Sequence, residues 1–472
     1  MNQSKPVNRL PPEIFSKVLE FRKNERDLIV ATQVCARWRA ILTSTPFLWT
    51  KVDFEDSSRA SLYLERSKTL LIDVTVGKTR SCIVGPEGAF LGAIPWVARM
   101  KSLHVQAGEE QIKTIAARLC HATPNLRFLT LKAQARQYYS NGNTSNSTGG
   151  GAIYVPSEFL GRHAPLLQSL TFSSISPSVV FSFPLPKLTH IDWVAENAYV
   201  VIEELLDLFA SSPLIEDIKM HVKVRRTRTY ESLREVTLSK LRKLDWADHD
   251  GSISLINCLT APRLDDLAVR ITRDARNPHT ALSAILPPHA HYLPLLVEPK
   301  GLEYIYQHGS RSCRFYYERG AAFSIREVTK SRLTESTIAR WLSPHSPISF
   351  GRTLSLHVEA SGGCPPLEDI PIEELENLQT LGLTGDTDAL VPLLRPKRGT
   401  SGDVLSVPCP MLSEVRIIPK DAYFQLDELT EILRMRKAAG RGVKNVRIMG
   451  EARCQPGQIK ELKKFVGELI AS

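Results

Sequence analysis

The sequence predicts an α/β protein with a small all-α module over residues 7–50, a joining helix over 51–70, and an irregular solenoid of parallel strands with outer helices over 71–472. Three observations predict it. Amphipathic helical spacing fills the first fifty residues. A short apolar triplet pattern then returns many times, mostly at intervals in the twenties, and a proline stands at a fixed offset before several of its copies.

Leu10-Pro11-Pro12-Glu13-Ile14 opens the first helix. Proline suits a first helical turn, where its missing N–H costs nothing and its φ is already near the helical value. Ile14, Val18 and Phe21 recur at i, i+4 and i+7, with Leu19 beside them, and draw an apolar stripe along the helix. The polar run Arg22-Lys23-Asn24-Glu25-Arg26 ends that stripe. Leu28, Ile29 and Val30 begin a second amphipathic segment, and Cys35, Trp38, Ile41 and Leu42 form the face of its continuation or of a third helix. So small a module buries too little surface to stand alone, and it is expected to borrow a partner to complete its core.

Leu10-Pro11-x-Glu13-Ile14, the pair Val18 and Leu19, Leu28, Val34-Cys35-x-x-Trp38-Arg39 and Pro46-x-Leu48-Trp49 together resemble the F-box. The resemblance implies docking on the Skp-type adaptor of a cullin-RING ubiquitin ligase, with the rest of the chain choosing a protein target. Carried over position by position, it assigns adaptor contact to Leu10, Pro11, Ile14, Val18, Leu19, Leu28, Val34, Cys35, Trp38 and Trp49. Lys23-Asn24-Glu25-Arg26 stands where many members have a proline-containing turn. Trp38 lies three residues after Cys35 and three before Ile41, so its ring is expected at the docking surface.

Between Asp56 and Leu70, a helix with Ser57 or Ser58 as N-cap and Leu62, Tyr63 and Leu64 inside joins the module to the first strand. From about residue 70 the triplet pattern begins. It reads Met100-Leu103-Val105, Leu126-Leu129-Leu131, Leu167-Leu170-Phe172, Leu188-Ile191-Trp193, Ile215-Ile218-Met220, Leu241-Leu244-Trp246 and Leu264-Leu267-Val269. After a gap it returns at Leu378-Leu381-Leu383, Leu412-Val415-Ile417 and Val443-Val446-Ile448. Pro124, Pro165, Pro186, Pro213, Pro262 and Pro410 each sit two residues before the first apolar position.

From Met100 to Leu264 the intervals are 26, 41, 21, 27, 26 and 23. Most fall in the range of roughly 20–29 residues of leucine-rich repeats, which these units resemble. Where that family usually buries Asn or Cys, this chain has Gln134, Ile175, Glu196, Lys223, His249, Thr272 and Asp386, so the repeats are degenerate. The middle residues Leu129, Leu170, Ile191, Leu244 and Leu267 are expected to be buried. Helices at Ile112 to Leu119, Val201 to Phe209 and Leu429 to Met435 are expected on the outer side. Ile459, Leu462, Phe465, Val466, Leu469 and Ile470 read as an amphipathic helix capping the open end.

Two stretches break the period. Residues 138–151 are low-complexity and polar and read as an inserted loop. Residues 302–328 alternate at Leu302, Tyr304 and Tyr306, at Cys313, Phe315 and Tyr317, and at Phe323 and Ile325. They predict two or three strands with turns at His308-Gly309-Ser310 and Arg319-Gly320.

With 43% hydrophobic and 23% charged residues the composition is that of a globular protein. No apolar run reaches the ~18 residues of a membrane span, and the N-terminus lacks the apolar core of a signal peptide, so an intracellular location, cytoplasmic or nuclear, and no membrane partner are expected. Eight cysteines are scattered, the closest pair 38 residues apart, which fits reduced thiols. Asn143-Thr144-Ser145 and Asn146-Ser147-Thr148 match a glycosylation sequon but read as polar loop.

The net charge is +10, densest at Lys223 to Arg228 and over Arg434 to Lys464. No aromatic interleaving or nucleic-acid-binding motif accompanies these stretches, which read as solvated faces. No nucleophile elbow, zinc-protease pair, phosphate loop or dinucleotide fingerprint occurs, so no enzyme activity, catalytic residue, cofactor or metal is expected. His289 and His291 lie in a proline-rich loop, and Glu368, Asp369, Glu373, Glu374 and Glu376 read as a solvated loop and helix start.

The resemblances together imply the substrate-recognition subunit of a Skp-cullin-F-box ubiquitin ligase, acting by proximity and performing no chemistry itself. Its protein target is not readable. A non-degradative F-box scaffold and a nucleic-acid-associated protein are the alternatives. The proline and aromatic style of the repeats is similar to the expanded F-box sets of mushroom-forming fungi.

Overall fold

Strand alternation fixes which side chains face inward, and the architecture follows from it. The computed structural model describes residues 9–20, 26–54, 56–77, 92–134, 153–154, 159–176, 183–225, 234–248, 258–273, 300–307, 310–317, 322–329, 353–361, 372, 375–385, 388–398, 404–419, 426–449 and 456–471. It is a mixed α/β chain in which N-terminal helices precede mainly parallel strands, and it divides into two compact units, Met1–Ile215 and Glu216–Ser472. The division was not visible in the pattern, because copies of the triplet continue across it at ordinary spacing.

The first unit begins with α1 (Pro12–Glu20), α2 (Arg26–Val34), α3 (Ala36–Thr43) and a 3-10 turn at Pro46–Trp49. Then come β1 (Lys51–Asp53), α4 (Ser57–Arg66), β2 (Ile72–Val76), β3 (Met100–Gly108), α5 (Glu109–Arg118), β4 (Phe128–Gln134), β5 (Ser169–Ser173), β6 (His190–Val201) and α6 (Ile202–Ser211). The six strands pair in chain order, all parallel. Their register stacks Val52, Val74, Leu103, Leu129, Leu170 and Ile191 in one buried row, and Val76, Val105, Leu131, Phe172 and Trp193 in the next. Phe172 meets Trp193 edge to face at 5.5 Å, and the indole N–H donates to the Ile175 carbonyl at 2.9 Å.

Two details of the joining segment differ from expectation. It starts with a strand rather than a helix, since Lys51–Asp53 pairs with β2. The cap of α4 is Asp56, not a serine: its carboxylate accepts from the Arg59 N–H at 3.0 Å, where the positive helix end also favours an anion.

The recurring proline has a structural explanation. Leu126, Leu167, Ile215, Leu264 and Leu412 each donate N–H to the carbonyl three residues back, at Thr123, Ala164, Ser212, Ala261 and Cys409. Proline therefore occupies the second position of a β-turn, where its fixed φ fits. The residue before each of these prolines is buried, so each turn anchors its strand from below.

The second unit comprises β7 (Asp217–Arg225), β8 (Lys243–Asp248), β9 (Asp266–Arg273), β10 (Gly301–Gln307), β11 (Ser310–Tyr316), β12 (Ala322–Thr329), β13 (Ser355–Ser361), β14 (Thr380–Gly385) and β15 (Glu414–Pro419). It ends with α7 (Leu426–Ala438), β16 (Asn445–Ile448), α8 (Pro456–Leu462) and β17 (Glu468–Ala471). Of the two or three strands expected in 302–328, three are present, but they enter the sheet in reverse. β9 pairs with β12, β12 with β11, β11 with β10, and β10 with β13. Two antiparallel steps restore the direction, so β12 and β10 each run parallel to their outer neighbour. From β13 to β17 the strands again pair in chain order, all parallel. β13 escaped the pattern because Thr353, wholly buried, stands where the triplet has its first apolar residue.

All five middle residues, Leu129, Leu170, Ile191, Leu244 and Leu267, are buried as expected, and helices stand at the three predicted places. The end differs. α8 stops at Leu462, and Leu469 and Ile470 belong to β17, paired with β16, so the last segment is half helix and half strand. A Cβ at Gly467 would stand 2.9 Å from the Lys444 carbonyl, a closeness only glycine permits.

In α7, Arg436 is wholly buried and meets no carboxylate among the described residues. It donates to the carbonyls of Pro408 at 2.6 Å and Cys409 at 2.8 Å, tying the helix to the preceding turn. Burial lowers its guanidinium and pushes the Cys409 thiol up to about 12. The 138–151 loop, His289 and His291, and most of the acidic cluster lie outside the described residues. Among the described residues, no group of three His, Cys, Asp or Glu side chains could hold a metal ion, and no helix is long and apolar enough to cross a membrane.

Candidate partner interface

Pro12 is the first residue of α1, and Phe15 closes its first turn with an N–H to Pro11 O bond of 2.9 Å. Phe15 and Ser16 face inward. The sequence stripe of Ile14 and Val18 instead faces solvent, and Phe21 lies outside the described residues. The helix thus has two apolar sides, and the covered one is built on Phe15, with its ring 4.7 Å from that of Trp38. Leu19 is half-buried.

α2 buries Leu28, Ala31 and Thr32 and exposes Val30 and Val34. Cys35 is the extended N-cap of α3 and makes no side-chain cap, while the Arg39 guanidinium returns to Thr32 O at 3.0 Å. The second and third segments are therefore separate helices. The Arg37 guanidinium reaches Leu10 O at 3.2 Å and ties the N-terminal entry to α3.

Trp49 lies deepest in the module. Its indole N–H donates to Leu42 O at 2.8 Å, its ring meets Tyr63 of α4 at 4.9 Å, and Arg66 lies 4.3 Å above it. Leu28 and Trp49 are both 0% exposed, so these two of the ten assigned residues lie inside the module. Pro11, Ile14, Val18 and Val34 are exposed; Leu10, Cys35 and Trp38 are half-buried. Two surface residues were missed, Val30 and Phe47. Val30 ends the apolar run Leu28-Ile29-Val30, and Phe47 lies inside Pro46-Phe47-Leu48-Trp49.

Ile14 (47%), Val18 (58%), Val30 (59%), Val34 (52%) and Phe47 (42%) supply five of the thirteen large apolar side chains exposed among the described residues. The module is about a tenth of the chain, so unpartnered apolar surface is concentrated on it. Residues 7–55 match the family model described as F-box-like. An F-box-like domain therefore comprises the helical module and β1. No curated protein matches the chain.

The solvent-facing sides of the sheets are polar in two different ways. In the first unit the register aligns Thr75, His104, Thr130 and Thr171, and beside them Ser102, Phe128 and Ser169, a hydroxyl-rich face with one exposed ring. In the second unit the face is ion-paired. His221 Nε2 is 3.1 Å from Asp245, whose other oxygen lies 3.3 Å from Arg270. Glu303 accepts from the Tyr316 hydroxyl at 2.6 Å, and Glu414 meets Arg416 at 2.9 Å and Arg447 at 3.0 Å. Burial alone would raise the Asp245 carboxyl, but the hydrogen bond and charge of His221, with Arg270 and Lys219, hold it below its ordinary value.

Proposed function

We propose that this protein is the substrate-recognition subunit of a Skp-cullin-F-box type ubiquitin ligase. The observation carrying this reading is the coincidence of the F-box-like match at residues 7–55 with the exposed Ile14, Val18, Val30, Val34 and Phe47. An apolar surface of that kind is stabilised by a partner that covers it. Pro11, Ile14, Val18, Val34, Cys35 and Trp38, with Val30 and Phe47, are the residues proposed to meet a Skp-type adaptor, which in turn brings a cullin.

The parallel strands, their recurrent turns and the outer helices support reading each unit's sheet as degenerate leucine-rich repeats. On that reading the solvent-facing side of the sheets receives a protein target. The subunit acts inside the cell as a tether, raising the target's effective concentration beside a ubiquitin-charged enzyme without itself catalysing a step.

The test is capture of the full chain by a purified Skp-type adaptor, compared with Ile14→Glu/Val18→Glu. Both side chains are exposed, so the variant should keep its melting temperature and lose capture. Wild-type protein that the adaptor does not retain, or equal retention of the variant, refutes the reading.

A further inference from the structure

The last elements of the second unit carry a charge that the fold does not use. Residues 434–449 and 456–471 hold nine arginines and lysines against Glu461 and Glu468, a net of +7 in a chain whose total is +10. Four of the nine are accounted for. Arg434 pairs with Glu431, Arg447 with Glu414 and Lys464 with Glu461, while Arg436 is buried on backbone carbonyls.

The backbone gathers four of the remaining five at two joined turns, with Lys460 one turn back along α8. α7 ends in a Schellman turn, with Gly440 at φ +71°, its N–H on Lys437 O and the Arg441 N–H on Arg436 O. The chain then turns at Gly442, where a Cβ would touch Lys437, and enters β16 just after Lys444. Lys444 O accepts the Glu468 N–H at 2.8 Å, which brings the α8-to-β17 turn against it. The Lys437 ammonium donates to Lys464 O at 2.8 Å and joins the two turns. Lys437, Arg441, Lys444, Lys460 and Lys463 are all exposed, and none makes an ion pair among the described residues.

Helix ends do not explain this bank. A helix C-terminus carries roughly half a negative charge, so two such ends balance about one cation. Of the neighbouring carboxylates, Glu461 already meets Lys464 and Glu431 meets Arg434, which leaves Asp427, against Gln458, and Glu468 to balance about two more at most. Exposed like charges held together repel one another and attract a polyanion within a Debye length of about 8–10 Å. Bases would need an exposed ring to stack on, and the one aromatic residue here, Phe465, is half-buried.

We infer that the bank formed by Lys437, Arg441, Lys444, Lys460 and Lys463 binds an acidic segment of a protein partner, rich in Asp and Glu. This deepens the proposed function by naming the chemistry of a target, and it rests on that reading for its biological sense alone.

The test is fluorescence anisotropy on the full chain with a labelled deca-glutamate peptide, and in parallel with a single-stranded DNA decamer. In Arg441→Glu/Lys444→Glu/Lys463→Glu, peptide affinity should fall about tenfold or more at low salt, whereas reversing Lys240, Arg242 and Lys243, at the other end of the second unit's strand order, should change it no more than about twofold. Equal losses in the two variants would show bulk charge alone and overturn the proposal. So would a DNA decamer bound more tightly than the peptide. If the reversal lowers the melting temperature, the Arg441→Gln/Lys444→Gln/Lys463→Gln variant carries the same comparison. Adaptor capture is scored separately on every variant, so failure of peptide binding is distinguishable from failure of the ligase reading.

Discussion

In α1 to α3 the apolar residues divide between an inside built on Phe15, Leu28, Leu42 and Trp49 and an outside built on Ile14, Val18, Val30 and Val34. Along β4, β5, β8 and β9 the same residue types go almost wholly inward. The sheets complete their cores with their own strands and helices, whereas the helical module has more apolar side chains than its small interior can hold. The contrast leaves the module with apolar surface on its outside, while the strands keep theirs within their own units.

The largest expected effect lies at the seam of the two regions. Trp49→Ala removes a wholly buried ring that holds α3 to α4, and should cost ~3–5 kcal/mol of stability, read as a lower melting temperature. Leu267→Ala, inside the second unit's sheet, should cost ~2–5 kcal/mol while leaving adaptor capture intact. If Leu267→Ala abolished capture and Trp49→Ala did not, the division of labour would be reversed.

Trp38 sits between the two classes, half-buried on Phe15. Trp38→Ala should weaken adaptor binding by ~2 kcal/mol, about thirtyfold, with a smaller loss of thermal stability from the lost ring contact. Unchanged affinity with a clearly lowered melting temperature would make it a packing residue only.

The smallest effect is a pH dependence of the second unit. The Asp245 carboxyl is held below an unfolded value near 3.8, so its contribution is complete above that value and is lost as pH falls through the lower folded value. Asp245→Asn should slightly flatten the acid limb of the stability curve and leave neutral-pH adaptor capture unchanged. An acid limb identical to wild type would mean that the His221–Asp245–Arg270 contact adds nothing.

Much of the sheet was legible because a strand has period two: Leu129 and Leu131 share a face whatever surrounds them. The proline before each copy was legible too, since its fixed φ suits one turn position. The 3.6-residue period of a helix is less decisive. It marked Ile14 and Val18 as one apolar stripe and could not say that Phe15, a residue along, would be the covered side. For the C-terminal segment, the helical spacing from Ile459 to Ile470 hid the alternation of β17.

What the sequence by itself determined is therefore local: the helical module, the strand positions with their inward residues, the turns, and the charge of the last forty residues. Only the tertiary structure decided that Leu28 and Trp49 are interior, that β10 to β12 enter their sheet in reverse order, and that the unpaired cations around Lys444 lie together. Each of these depends on which distant segment arrives as a neighbour. Chain periodicity fixes the direction of a side chain relative to its own backbone and carries no information about what will cover it.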